Sequence, residues 1–235
     1  MVFPLGAALN ALVIGLGAVG GLFIGKYLSE KLATLIFQLF GLCLLAIGLK
    51  MTLGSLNILT VILAAVLGAT LGETLRLSQR LTHLAERLKA RFNGQNPLFA
   101  EGLVTTSVMV CAGAMAIVGS FEEGLGQGRT TVLTKTLIDF FSCLILAARF
   151  GSGVAFAAVA VLAYQGTLTL LAGVLAPFMS PGVENCLQSL GGLLIMAIGV
   201  NMLGVKPEIN LANCLPALLF AALLPGLFQV LALPL

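Results

Sequence analysis

The chain is 235 residues long, with 59% hydrophobic and only 9% charged side chains and a mean hydropathy of +1.11, whereas a soluble domain carries about 25% charge. That composition excludes a soluble globular protein, and a net charge of +3 gives nucleic-acid binding no support. Several apolar runs reach the roughly 20 residues that a helix needs to cross a bilayer, and the ten-residue alternation of barrel strands is missing, so the expected fold class is all-α, a polytopic transmembrane helix bundle.

Gly, Pro and charge clusters divide the sequence into about eight spans, near 5–25, 32–53, 56–74, 100–121, 130–148, 153–178, 183–204 and 209–233. They form a first three-span group (5–74), a basic amphipathic segment (75–99), a central two-span group (100–148) and a last three-span group (153–233) within one integral membrane domain, 1–235. No Lys or Arg precedes the first span and no small-residue cleavage site follows it, so it is expected to stay as a helix rather than be removed as a signal peptide. Asn10 is a polar group within it, and Gly17, Gly21 and Gly25 make a small-residue stripe that lets another helix approach closely. Gly68 and Gly72 repeat that spacing in the third span, which ends at Glu73.

In the polar segment that follows, Leu77, Leu81, Leu84 and Leu88 recur at helical spacing among Arg76, Arg80, Arg87, Lys89 and Arg91. It reads as a basic amphipathic helix on the cytoplasmic membrane surface, with anionic lipid as the simplest partner over 75–92. Glu101 opens the fourth span, which closes on CAGAMAIVGSFEEG, residues 111–124. Its small residues, Gly113 and Gly119 among them, allow close packing or a helix break, and Glu122 and Glu123 read as a solvated exit marker rather than an acid pair for catalysis.

The fifth span holds Asp139, an ionisable group near mid-membrane, with Lys135 four residues earlier on the same helix face. A carboxylate at that depth costs about 2.5–3.5 kcal/mol on insertion scales, so it must face protein or water. The pair reads either as an internal ion pair that fixes packing or as an ion or proton coupling site. Tyr164 and Gln165, followed by Gly166, give the sixth span two hydrogen-bonding side chains beside a flexible point, and Asn201 lies in the seventh. Glu73 and Glu101 read as interface residues or as a cation-attracting vestibule. Five cysteines are scattered singly without C-x-x-C spacing, and His83 is the sole histidine. Neither a metal site, a cofactor site nor a catalytic constellation is therefore expected, and the chain is not read as an enzyme.

With the basic segment inside, eight spans put both termini outside. Lys26, Lys31, Arg76, Arg80, Arg87, Lys89, Arg91, Arg149 and Lys206 then fall on the cytoplasmic side, leaving only Lys50, Arg129 and Lys135 of the 12 positive charges elsewhere. A multi-pass membrane location with the basic segment on the cytoplasmic side follows. GLCLLAIGLKM at 41–51 also reads closely like GLLIMAIGVNM at 192–202, with the Gly, Ala-Ile-Gly and Met positions in the same order. The two copies lie in spans two and seven, five places apart in the series, so alternation makes them antiparallel, a candidate inverted-topology internal repeat of the kind found in secondary transporters.

The stretches CAGAMAIVGSFEEG, DFFSC, AYQGTLTLLAG and GGLLIMAIGVNMLG, in that order, resemble the YqgA-like family of bacterial integral membrane proteins, over nearly the whole chain. That family is a domain of unknown function, so the resemblance implies a multi-spanning protein of the bacterial inner membrane and no substrate. Three functions stay open: a transporter or channel for a small solute or ion, a non-transporting scaffold or partner subunit, and an intramembrane enzyme. The first rests on the candidate repeat and on Asp139, Lys135, Tyr164, Gln165, Asn10, Asn201, Glu73 and Glu101 as pathway candidates. Beyond the lipid bilayer, a second copy of the chain is a candidate partner.

Overall fold

The computed structural model describes residues 3–53, 58–91, 97–112 and 114–230. All regular structure among them is helical: α1 (Leu5–Gly25), α2 (Glu30–Leu53), α3 (Ile58–Thr74), α4 (Leu77–Arg91), α5 (Phe99–Ala112), α6 (Ala114–Gly124), α7 (Thr130–Phe150), α8 (Ala157–Leu175), α9 (Pro181–Met202), α10 (Leu211–Cys214) and α11 (Ala217–Val230). A chain this apolar has to satisfy its own backbone hydrogen bonds, and helices do so within each segment. Outward-facing Leu12, Leu16, Val19, Leu137, Val159 and Leu219 are among many large side chains left exposed, as lipid contact requires. Five segments are long and apolar enough to cross a membrane, and up to seven if each of two bent helix pairs is one span.

The longest of these segments runs over 49 residues, Thr130–Phe178, which as a straight helix would extend about 74 Å against a hydrocarbon core of about 30 Å. It reverses instead. Asn10 hydrogen-bonds both Asp139 on α7 and Gln165 on α8, so the chain folds back between them through the 3₁₀ segment Gly151–Phe156. Gly151 caps α7 with φ 77°, a conformation suited to glycine.

The bends fall where the sequence pattern reads straight spans. The expected fourth span, 100–121, is two helices, with the axes of Phe99–Cys111 and Met115–Gly124 at 58°. Gly119 lies inside α6 without a break, against Val132, and Gly113 is outside the described residues. The expected last span, 209–233, divides into α10 and α11 around Pro216. The basic helix α4 leaves α3 at 60°.

Glycines set the helix pairings. A Cβ on Gly17, Gly21 or Gly25 would stand 2.6, 2.2 or 2.8 Å from the carbonyl oxygens of Phe140, Leu144 and Ala148, so α1 and α7 run parallel in close contact. α3 and α11 run antiparallel, with Gly68 against Ala217 and Gly72 against Asn213. Between α2 and α9 the close contacts at the glycines have counterparts: Gly41 meets Gly199 and Met202, while Gly192 meets Gly48 and Met51; Gly48 meets Met196, while Gly199 meets Leu45. Such reciprocity, in which one residue touches another and the equivalents touch in return, marks a two-fold contact.

Candidate functional site

The site is assembled where α1, α7 and α8 meet. Four residues apart on α7, Lys135 and Asp139 project from one face, and the Lys135 ammonium donates to Asp139 Oδ2. Asn10 Nδ2 on α1 donates to the same oxygen at 2.9 Å and to Gln165 Oε1 on α8 at 3.0 Å. Asp139 and Lys135 are each 5% exposed, and Asn10 and Gln165 are fully buried. Asp139 is nine residues into the 21-residue α7, roughly 13 Å along its axis, which puts the pair at mid-bundle. The two opposite charges leave the site neutral, and the amides supply further polar contacts at that depth.

Two side chains of this cluster keep unused polar atoms. Asn10 Oδ1 and Gln165 Nε2 are buried without a hydrogen-bond partner among the described residues, as are Thr169 Oγ1, Glu123 Oε2, Thr106 Oγ1 and Ser107 Oγ. Buried polar atoms are nearly always satisfied in folded proteins, so a group of orphans calls for an explanation.

At the end of the bundle opposite α4, Glu123 is 2% exposed rather than solvated. Its Oε1 accepts from the Gly6 backbone N–H at 2.8 Å and from Arg129 Nε at 2.6 Å. The first turn of α1 has no side-chain cap of its own, and the carboxylate of α6 supplies the acceptor that such a helix start lacks, at the positive end of its dipole. Gly6 makes this possible, since a Cβ there would stand 2.8 Å from Glu123 Oε2. Glu122 accepts from Thr131. Arg129 and Glu123, neither among the sequence candidates, form this closure with Gly6; the one sequence signal for it is a carboxylate followed six residues later by an arginine in a Gly-rich turn.

At the α4 end lies a cleft of about 460 Å³ whose walls include Glu101, Thr105, Phe150, Asn201, Glu208 and Asn210. Glu101 is exposed and also borders a second cleft with Arg149 and Lys206. Asn201 pins the chain beyond α9 by accepting from the Ile209 N–H and donating to its carbonyl. Glu73 accepts from Asn213, whose Oδ1 takes the Ser78 N–H, joining α3, α4 and α10. Tyr164 packs against the apolar cluster of Ile117, Leu187 and Leu190. The structure thus gathers Asp139, Lys135, Asn10 and Gln165 at mid-bundle, and sets Glu73, Glu101 and Asn201 at the α4 end. Among the described residues no group of three His, Cys, Asp or Glu side chains stands ready for a metal.

Residues 5–225 match a family model described as protein of unknown function, DUF554. The chain is similar to the uncharacterized protein YqgA of Escherichia coli (strain K12), 29% identical over 222 residues that cover 92% of this chain and 94% of that one. It is also similar to the uncharacterized membrane protein YdfK of Bacillus subtilis (strain 168), 28% identical over 219 residues that cover 91% and 92%. No solved structure matches it.

Proposed function

This chain belongs to the DUF554 family of proteins of unknown function, and from the site it builds we propose that it is a transporter or channel for a small solute or ion, working by alternating access between two inverted halves. The observation that carries the reading is the buried cluster of Lys135, Asp139, Asn10 and Gln165, contributed by three helices at mid-bundle. Ionisable groups at such a depth are costly, and they mark pathways.

The reciprocal α2–α9 contact supports the inverted halves. Each half would consist of three spans, α1–α3 and α8–α11, and the first helices of the two, α1 and α8, meet through the amides of Asn10 and Gln165. Helix directions agree with eight alternating spans: α1 is parallel to α7, and α2 and α3 are antiparallel to α9 and α11. In that topology α4, Lys26, Arg149 and Lys206 share the cytoplasmic end of an inner-membrane protein, Arg129 lies outside, and α4 rests on anionic lipid. An open cleft at one end and the Glu123–Arg129 closure at the other correspond to an inward-facing arrangement with the central pair occluded. The reading assigns the chain no catalytic role.

One observation favours the alternative, a scaffold or partner subunit: Asp139 is almost wholly enclosed and is not among the residues lining the clefts. Flux decides between them. Proteoliposomes containing the intact chain are expected to move a solute or ion that protein-free vesicles do not, and Asp139→Asn is expected to stop it while the protein stays monodisperse. Equal flux in the variant removes Asp139 from the mechanism, and vesicles that pass nothing favour the scaffold.

A further inference from the structure

The orphaned polar atoms are not scattered. On the Arg129 side of Asp139, Gln165 and Thr169 stand one turn apart on α8, and the Thr169 carbonyl abuts Gly124, the neighbour of Glu123. On the α4 side, α5 starts beside Phe150 and Gly153 and carries Cys111 in its last turn, within electrostatic range of both Lys135 and Asp139. Thr106 and Ser107 occupy the stretch between, directly after Thr105 in the cleft wall. From Arg129 the order is therefore Glu123, Thr169, Gln165 with Asn10, Asp139 with Lys135, Ser107 with Thr106, then the cleft.

We propose that these residues line a proton route through the bundle, with Asp139 and Lys135 as the exchanging pair at its centre. The inference rests on the transport reading above and names the ion. Hydroxyls and amides with free lone pairs or N–H groups are what a file of water molecules needs for partners. A metal cation fits the site less well, because each buried carboxylate already faces a fixed cation, Lys135 at Asp139 and Arg129 at Glu123. A proton meets no such competition. Arriving through the cleft arm, it binds Asp139 and makes a neutral carboxylic acid. Lys135, one turn nearer Arg129 on α7 and now without its counter-ion, releases an ammonium proton to water on the Glu123 side and becomes a neutral amine. The acid then passes its proton to the amine, which restores the ion pair with one proton moved. The titratable groups around Asp139 are Lys135 and Cys143 on its own helix and Cys111 on α5, with Tyr164 of α8 within electrostatic range of Cys111. α1 contributes none, and α2 meets α7 around Phe37 and Phe150, at its far end.

The test uses the full chain in liposomes with a pH-sensitive dye trapped inside and a potassium diffusion potential imposed by valinomycin. Protein-dependent proton entry is expected in the wild type and at vesicle background in Asp139→Asn. Thr169→Val and Thr106→Val remove hydroxyls that make no hydrogen bond among the described residues, so their melting temperatures should stay put while proton entry slows about two- to tenfold, the equivalent of one hydrogen bond. In infrared difference spectra, acidification should produce the band of a buried carboxylic acid that is missing in Asp139→Asn. Proton entry that survives Asp139→Asn, or that ignores both valine variants, overturns the route. If an inorganic ion moves in an Asp139-dependent manner and protons do not, the proton assignment falls and the transport reading stands. If folded protein moves neither, both fall.

Discussion

Replacing Lys135 alone by Met is expected to destabilise the protein in micelles by about 3–5 kcal/mol, because the substitution leaves the Asp139 carboxylate buried without its cation. Asp139 and Lys135 side chains are 7% and 6% exposed, so water does little to rescue either charge. Replacing both at once, Lys135→Met with Asp139→Leu, is expected to recover most of that loss. What remains should be about 1–3 kcal/mol, since the Asn10 amide then loses one of its two acceptors. Unfolding curves of the two single variants and the double form a cycle, and a coupling near zero would mean that the two side chains do not act as a pair. Stability and function separate here. A pair that only fixed packing would give a double variant that is stable and unchanged in every flux measurement, whereas a coupling pair gives one that is stable and silent.

Much of the central cluster was legible because membrane sequence is unforgiving: a charge in an apolar run stands out, and Lys135, Asp139, Asn10 and Gln165 were each visible as polar residues that had to find partners. That three helices would bring them to one another was not visible, since spacing along one helix says nothing about neighbours 129 or 155 residues away. The turn between α7 and α8 was readable from Gly151-Ser-Gly153, and Gly153 is needed because a Cβ there would stand 2.1 Å from the Phe99 carbonyl oxygen. The angle between α5 and α6 was hidden for a tertiary reason. Gly102 docks α5 on Phe150, while Gly124 docks α6 on Thr169, so one apolar run serves two partners with different directions. The burial of Glu123 is hidden from the sequence for the same kind of reason. Its local sequence is that of a solvated turn, and what buries it is a bare helix start 117 residues away.

The α2–α9 seam yields the other large effect. Gly48→Ala places a methyl group 2.5 Å from the Gly192 carbonyl oxygen and from Met196 Cγ, and Gly199→Ala places one 2.7 Å from the Gly41 carbonyl oxygen. Each is expected to cost about 1–3 kcal/mol through forced separation of the helices. Gly15→Ala and Gly173→Ala meet nothing within 4 Å and should be neutral or stabilising by up to about 1 kcal/mol. Gly48→Ala combined with Gly192→Ala should cost less than the sum, because the first methyl group already opens the seam that the second needs. Strict additivity would show that the two methyl groups do not share one opening of the seam, and a severe Gly48→Ala beside a neutral Gly199→Ala would show that its two ends are not equivalent. On the transport reading proposed above, the seam also bears on the mechanism. Contacts lying on a two-fold axis are kept when inverted halves exchange their arrangements, whereas contacts at one end, such as Glu123 with Arg129, exist in one arrangement only. Seam variants should therefore lower flux only as far as they lower the folded fraction, and opening the Glu123–Arg129 closure should change the balance of the two arrangements with the seam intact.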